Sequence, residues 1–186
     1  MSNTVFNYLD FKPTIEEGVF ISPGAFIIGR VTLKKHSNIW FNCVLRGDVN
    51  EIVVGENTNV QDLSMLHVTA KDALIIGNNI SIGHSVTLHG CTINDSCLIG
   101  MQALILDGAE IGHSSLVAAG SLVSPGKKFP PFSLIKGRPA VVERPLRPEE
   151  INTITNHYKS YTGYKDIYLT DKNFNESLKK YLQPYS

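Results

Sequence analysis

Aliphatic residues recur at every sixth position along most of the chain. One run is Ile15, Ile21, Ile27, Leu33, Ile39 and Leu45, and a second is Val54, Val60 and Leu66. A third is Ile76, Ile82 and Leu88, and the last is Ile93, Ile99, Ile105, Ile111, Val117 and Val123. A helix does not account for this period. At about 100° per residue, six residues advance about 600°, so the aliphatic positions would drift around the helix. Short strands joined by tight corners do account for it, each hexapeptide forming one side of a triangular coil with its aliphatic side chain inward. Glycine follows the aliphatic at Gly55, Gly77, Gly83, Gly100 and Gly112, as suits corners with unusual backbone angles. Three hexapeptides make one coil, so the eighteen aliphatics predict an all-β fold, a parallel β-helix of about six coils over residues 10–126.

The pattern ends at Val123. Pro125, Pro130, Pro131, Pro139 and Pro145 then mark residues 127–147 as a proline-rich connecting segment, loop or extended. A helix is predicted to start at Pro148-Glu149-Glu150, with proline in the first turn and acids near the positive end of the dipole. Ile151, Ile154, Tyr158 and Tyr161 share one side of it and predict packing along the outside of the β-helix. Residues 148–186 form this C-terminal helical segment, where Phe174, Leu178 and Leu182 allow a second short helix.

The six-residue period fails three times: Leu45 to Val54 is nine residues, Leu66 to Ile76 is ten, and Leu88 to Ile93 is five. Each break follows the third hexapeptide of its coil, so all lie at one corner of the triangle. The residues after the aliphatic there are Arg46, His67 and His89. Coils stack about 4.8 Å apart, so these three side chains form one column. His84, two residues after Ile82, belongs to another face and should not reach that column within its own chain. In a threefold assembly of triangular prisms, His84 of a neighbouring subunit could complete a set of three imidazoles, the ligand set of a catalytic zinc site. Solvated surface histidines are the plainer reading of the same residues. His36, His113 and His157 have no such partners. Asp62 occupies the position of His84 one coil earlier, where it could orient that imidazole, pair with Arg46, or cap a corner.

Seventeen basic and seventeen acidic residues balance, which argues against nucleic-acid or membrane-surface binding. No run is apolar enough to span a bilayer, and residues 1–10 do not read as a secretory signal. Cys43, Cys91 and Cys97 are odd in number and form no C-x-x-C pair, which suits small buried thiols in a cytoplasmic protein.

Several segments together resemble the γ-class carbonic anhydrase family, within the hexapeptide-repeat superfamily whose β-helices are left-handed. They are Arg46-Gly47-Asp48, Asn59-Val60-Gln61-Asp62, Leu66-His67, Ile82-Gly83-His84 and Leu88-His89-Gly90-Cys91. Ile99-Gly100-Met101-Gln102-Ala103, residues 118–123 and Lys136-Gly137-Arg138-Pro139-Ala140 extend the likeness, which covers about residues 10–162. The resemblance implies a homotrimer in which His67, His84 and His89 bind the metal, the middle one from the next subunit. It implies ion pairs of Arg46 and Asp48 near the interface, a Gln61 that orients the metal-bound water, and a Tyr158 that approaches the metal. The implied activity is hydration of CO₂ to bicarbonate by water that the ion makes acidic, its pKa lowered to about 7. The implied metal is zinc, with Fe²⁺ and Co²⁺ as alternatives for the same donors. The best-studied branch of the family has an acidic loop after the first ligand and a second acid beside the Asp48 position. Here stand Val68-Thr69-Ala70-Lys71-Asp72 and Val49, which predict slow proton transfer and weak activity.

Two other functions fit the repeat. One is an acyl-CoA-dependent acyltransferase, a class that uses a single catalytic histidine and an extended loop. The other is a metal-binding trimer acting on another small substrate, such as a thioester.

Overall fold

The computed structural model describes residues 4–182. Short strands stack in three parallel ladders, one on each side of a triangular coil. The first side carries Ile15, Leu33, Val54, Ile76, Ile93, Ile111 and Phe129 in register. The second carries Ile21, Ile39, Val60, Ile82, Ile99, Val117 and Ile135. The third carries Ile27, Leu45, Leu66, Leu88, Ile105 and Val123. The fold is the left-handed parallel β-helix expected, with about seven turns. Apart from Ile15 and Ile21 in the open first coil, all the periodic aliphatics are buried. Each such side chain contributes about 1.5–3 kcal/mol by leaving water.

The stack runs further than the aliphatic pattern. Phe129 and Ile135 hold the next two six-residue positions, inside the segment expected to be a connection. Phenylalanine replaces the aliphatic at one of them, and the prolines beside it hide the period. Strand 133–137 then turns back and pairs antiparallel with strand 140–145.

Corners set the coil's shape. His36, Asn57, Asn79, Ser96, Ser114 and Phe132, between the first and second sides, have φ from 53° to 61°. Asn42, Leu63, Ser85 and Gln102 do the same between the second and third, at 57° to 63°. This left-handed conformation costs most residues about 1–2 kcal/mol, and asparagine least, because its side chain bonds locally. Asn57 Nδ2 donates to Asn79 Oδ1 at 3.0 Å from one coil to the next. The glycine after the aliphatic answers to close stacking instead: a Cβ on Gly55 would lie 2.2 Å from the Gly77 carbonyl oxygen.

Three helices follow: α1 (Pro148–Asn156), α2 (Tyr158–Thr170) and α3 (Lys172–Leu182). The first begins where the Pro-Glu-Glu signal puts it. Glu150 anchors that start, accepting from Arg144 Nη1 and Nη2 at 2.7 Å each and from the Arg147 backbone at 2.8 Å. Helix α2 lies across the second side of the β-helix, over strands 38–39 and 59–60. Trp40 holds it there, edge-on to Tyr161 at 5.5 Å and to Tyr168 at 5.4 Å between ring centroids. No helix among the described residues is long and apolar enough to cross a membrane.

Candidate metal centre

The three breaks in the period do fall at one corner, between the third and first sides. The first insertion becomes a bulge within the long strand Val44–Val54. The second becomes the turn after His67, and the shortening becomes a single left-handed corner at Gly90, φ 51°. Around them the ladder is regular, and Arg46, His67 and His89 are paired in register.

His67 Nδ1 and His89 Nε2 face each other at 3.0 Å. The far nitrogen of each ring has a carboxylate partner. His67 Nε2 lies 3.0 Å from Asp48 Oδ1, and His89 Nδ1 contacts Asp107 Oδ1. A carboxylate accepts, so each ring's N–H is directed to its aspartate. In that arrangement one lone pair on each ring faces the other, and a cation between them would satisfy both. A tetrahedral ion at 2.0–2.1 Å from each nitrogen would set them about 3.3 Å apart, close to the spacing found. The donor set therefore fits a metal ion.

Asp48 also contacts Arg46 directly. Burial alone would push its carboxyl up, but hydrogen bonds from His67 and Arg46 outweigh that and hold it below the usual carboxylate range. The turn after His67 is closed on itself. The Asp72 backbone N–H donates to Thr69 Oγ1 at 2.8 Å, and Thr69 Oγ1 donates to Asp72 Oδ2 at 3.2 Å. The one acid of that loop is thus spent on holding it.

His84 stands at the other corner, between the second and third sides. Its Nδ1 donates to Asp62 Oδ2 at 2.8 Å, so the stacking read from the repeat is present, and Asp62 serves the imidazole rather than Arg46. No cluster of three or more His, Cys, Asp or Glu that could hold a metal forms among the described residues of one chain. The structure thus brings His67, His89, Arg46 and Asp48 together and keeps His84 and Asp62 apart from them.

Asp62 also borders a cavity of about 340 Å³ between the β-helix and α2, walled by Trp40, Phe41, Tyr161, Tyr164, Ile167 and Tyr168. Burial pushes the Tyr161 phenol up, and the Asp62 charge adds to it. Tyr158, expected to approach the metal, opens α2 and does not line this cavity; Tyr161, one turn on, does. Gln61 is 3% exposed beneath the helix, its amide bonded to Asn59.

Sequence reasoning missed Asp107, and missed that Asp48 serves His67. The signal was present for Asp107. Ile105 pairs with Leu88, so Asp107 lies just past the histidine column one coil on.

The chain is 41% identical over 164 residues to a carbonic anhydrase of Geobacillus kaustophilus, covering 88% of this chain and 90% of that one. It belongs to the γ-class carbonic anhydrase family. Gamma carbonic anhydrase 2, mitochondrial, of Arabidopsis thaliana is 39% identical over 176 residues, 91% of this chain and 63% of that protein. The chain spans about three fifths of the length of that protein and of gamma carbonic anhydrase 1, mitochondrial, of the same plant. A crystal structure from Bacillus cereus, described as a putative acetyltransferase, superposes with a TM-score of 0.87 at 42% identity, covering 88% of this chain and 95% of that one. No family model matches.

Proposed function

We propose that this chain is a zinc-dependent carbonic anhydrase-like lyase, active as a homotrimer, that interconverts CO₂ and bicarbonate. The observation that carries the reading is the facing pair of lone pairs on His67 and His89, each ring backed by its own aspartate. His84, backed by Asp62, would supply the third nitrogen from a neighbouring subunit. Bound there, zinc supplies Lewis acidity that makes water a nucleophile near neutral pH.

The chain's own residues do the rest. Asp48, Asp107 and Asp62 take the ring N–H groups, fix the tautomers and raise the basicity of the ligand nitrogens. Gln61 offers an amide beside Asp62 to orient the attacking water. The third side, which joins the two histidine corners, carries outward apolar residues including Phe26, Met65 and, at its corner, Leu63, all exposed in the single chain. Covering this face with a second copy would bury them and bring the corners together. With Asp72 tied to Thr69, proton release relies on buffer, so turnover is slow. The three buried free cysteines support a reducing compartment such as the cytoplasm.

Mixed trimers test the site directly. His67→Ala and His84→Ala proteins each lose metal. Co-expressed, they regain about a quarter of the sites by random assortment if the site spans subunits. No recovery means that one chain holds the whole site or none. Stopped-flow CO₂ hydration on zinc-loaded protein tests the reaction, and no rate above buffer with metal bound refutes it.

The acetyltransferase description of the Bacillus cereus neighbour is the second reading. The paired histidines with carboxylates fit it poorly, and calorimetry with acetyl-CoA decides.

A further inference from the structure

A line of buried polar side chains runs beneath α2, where a solenoid face would ordinarily carry apolar groups. Asn59 is 0%, Ser81 is 1% and Gln61 is 3% exposed. Gln61 Nε2 donates to Asn59 Oδ1 at 3.0 Å. Asn59 Nδ2 donates to Ser81 Oγ at 2.8 Å and to the Ile80 carbonyl at 3.2 Å. Ser81 Oγ stands 2.9 Å from His157 Nδ1. Buried polar groups in such a line are costly unless every one is satisfied, so its order is constrained.

The Ile80 carbonyl sets the direction. It can only accept, so the nitrogen of the Asn59 amide faces it, and the Asn59 oxygen faces Gln61. Asn59 spends its other N–H on Ser81 Oγ. Ser81 Oγ accepts there, which leaves its own hydrogen available to His157 Nδ1 in the tautomer where that nitrogen accepts. At the other end the Gln61 nitrogen is committed to Asn59, and its Oε1 is left as a free acceptor at the Asp62 corner. His157 lies between α1, which ends at Asn156, and α2, which begins at Tyr158, with its own backbone still helical at φ −59° and ψ −37°.

We propose that Ser81 and His157 are positioning residues that fix the orientation of the Gln61 amide, acting through Asn59. This rests on the reading above, in which Gln61 orients the attacking water. His157 does not touch substrate. Its imidazole terminates the line, and without it Ser81 Oγ loses the partner that holds it facing the Asn59 N–H, which loosens the amide pair.

The test uses metal-loaded protein labelled with [¹⁵N]glutamine, which occurs at 61, 102 and 183, so few side-chain amide signals need assignment. His157→Phe keeps a ring and deletes the acceptor. His157→Asn places an amide oxygen where Nδ1 stood. Ser81→Ala cuts the line one link in. The expected result is a shifted Gln61 amide signal, with solvent exchange faster by roughly tenfold, in His157→Phe and in Ser81→Ala. His157→Asn should restore it. The double variant should be no worse than either single one, because the two links lie in series. Metal content stays at the wild-type level, and kcat falls by roughly tenfold with KM unchanged. An unmoved Gln61 signal, or His157→Asn behaving like His157→Phe, overturns the proposal. A moved signal with unchanged kcat overturns its catalytic half. The amide signal is read without turnover, so a protein with no CO₂ hydration fails the activity proposal and leaves this one to stand or fall by the spectrum.

Discussion

His67 and His89 lie 22 residues apart in the chain and one coil apart in space, their facing ring nitrogens separated by 3.0 Å. Each turns its other nitrogen to an aspartate from a different coil, Asp48 below and Asp107 above. Four residues from four successive coils thus form one ladder along a single edge. The ladder is rigid because the strands beneath it are paired in register.

Asp107 is the outermost member of that ladder. Asp107→Asn leaves the shape in place but removes the charge that holds the His89 N–H. Zinc affinity should fall by about tenfold, in the range seen when such a partner is lost. Competition with a chelator measures it, and unchanged affinity would show that His89 needs no such support.

The cysteines should be inert in the folded protein. Burial pushes the thiols of Cys43, Cys91 and Cys97 up to about 12. A disulfide reagent at pH 8 should label none of them until denaturant is added. The same shifts set a pH dependence. Unfolded thiols ionise near 9.0 while the folded ones stay protonated to about 12, so the folded state binds more protons across that window. Stability therefore falls as pH rises through it. Melting temperatures at pH 8 and pH 10.5 should show the drop, and Cys97→Ser should lessen it.

Glu150 predicts the opposite trend in acid. Hydrogen bonds from Arg144 and then Arg147 hold its carboxyl well below the ordinary carboxylate range. The folded state thus binds fewer protons, and the stabilisation is present above the unfolded value near 4.5 and lost as pH falls below it. Amide protection in α1, corrected for the intrinsic pH dependence of exchange, should fall on acidification, and Glu150→Gln should show that lowered protection already at pH 7.

Gly55→Ala tests the corner stacking. The new methyl would meet the Gly77 carbonyl carbon at 2.4 Å, backbone that cannot give way without moving the next coil. Destabilisation of about 1–3 kcal/mol is expected from such overpacking. Chemical denaturation reads it, and a midpoint equal to wild type would mean that the coils can spread.

The sequence by itself determined the coil. A six-residue aliphatic period points to short strands folded into a coil, because a helix does not keep every sixth side chain on one face, and a flat strand, which does, gives no reason for the second and fourth positions to differ from the sixth. It also determined the edge: three breaks in that period, counted along the chain, put Arg46, His67 and His89 in one column. The stacking of Asp62 on His84 followed from the same arithmetic. The continuation through Phe129 and Ile135 escaped it, because the inward position accepts an aromatic ring and the prolines beside it break no ladder bond that matters. Only the tertiary structure decided which polar groups meet. Whether Asp48 turns to Arg46 or to His67 as well, whether Tyr158 or Tyr161 borders Asp62, and whether His157 meets Ser81 depend on side-chain directions and on where α2 docks. Those are set by contacts between residues distant in the chain, such as Trp40 with Tyr161 and Tyr168, and a repeat period carries no record of them.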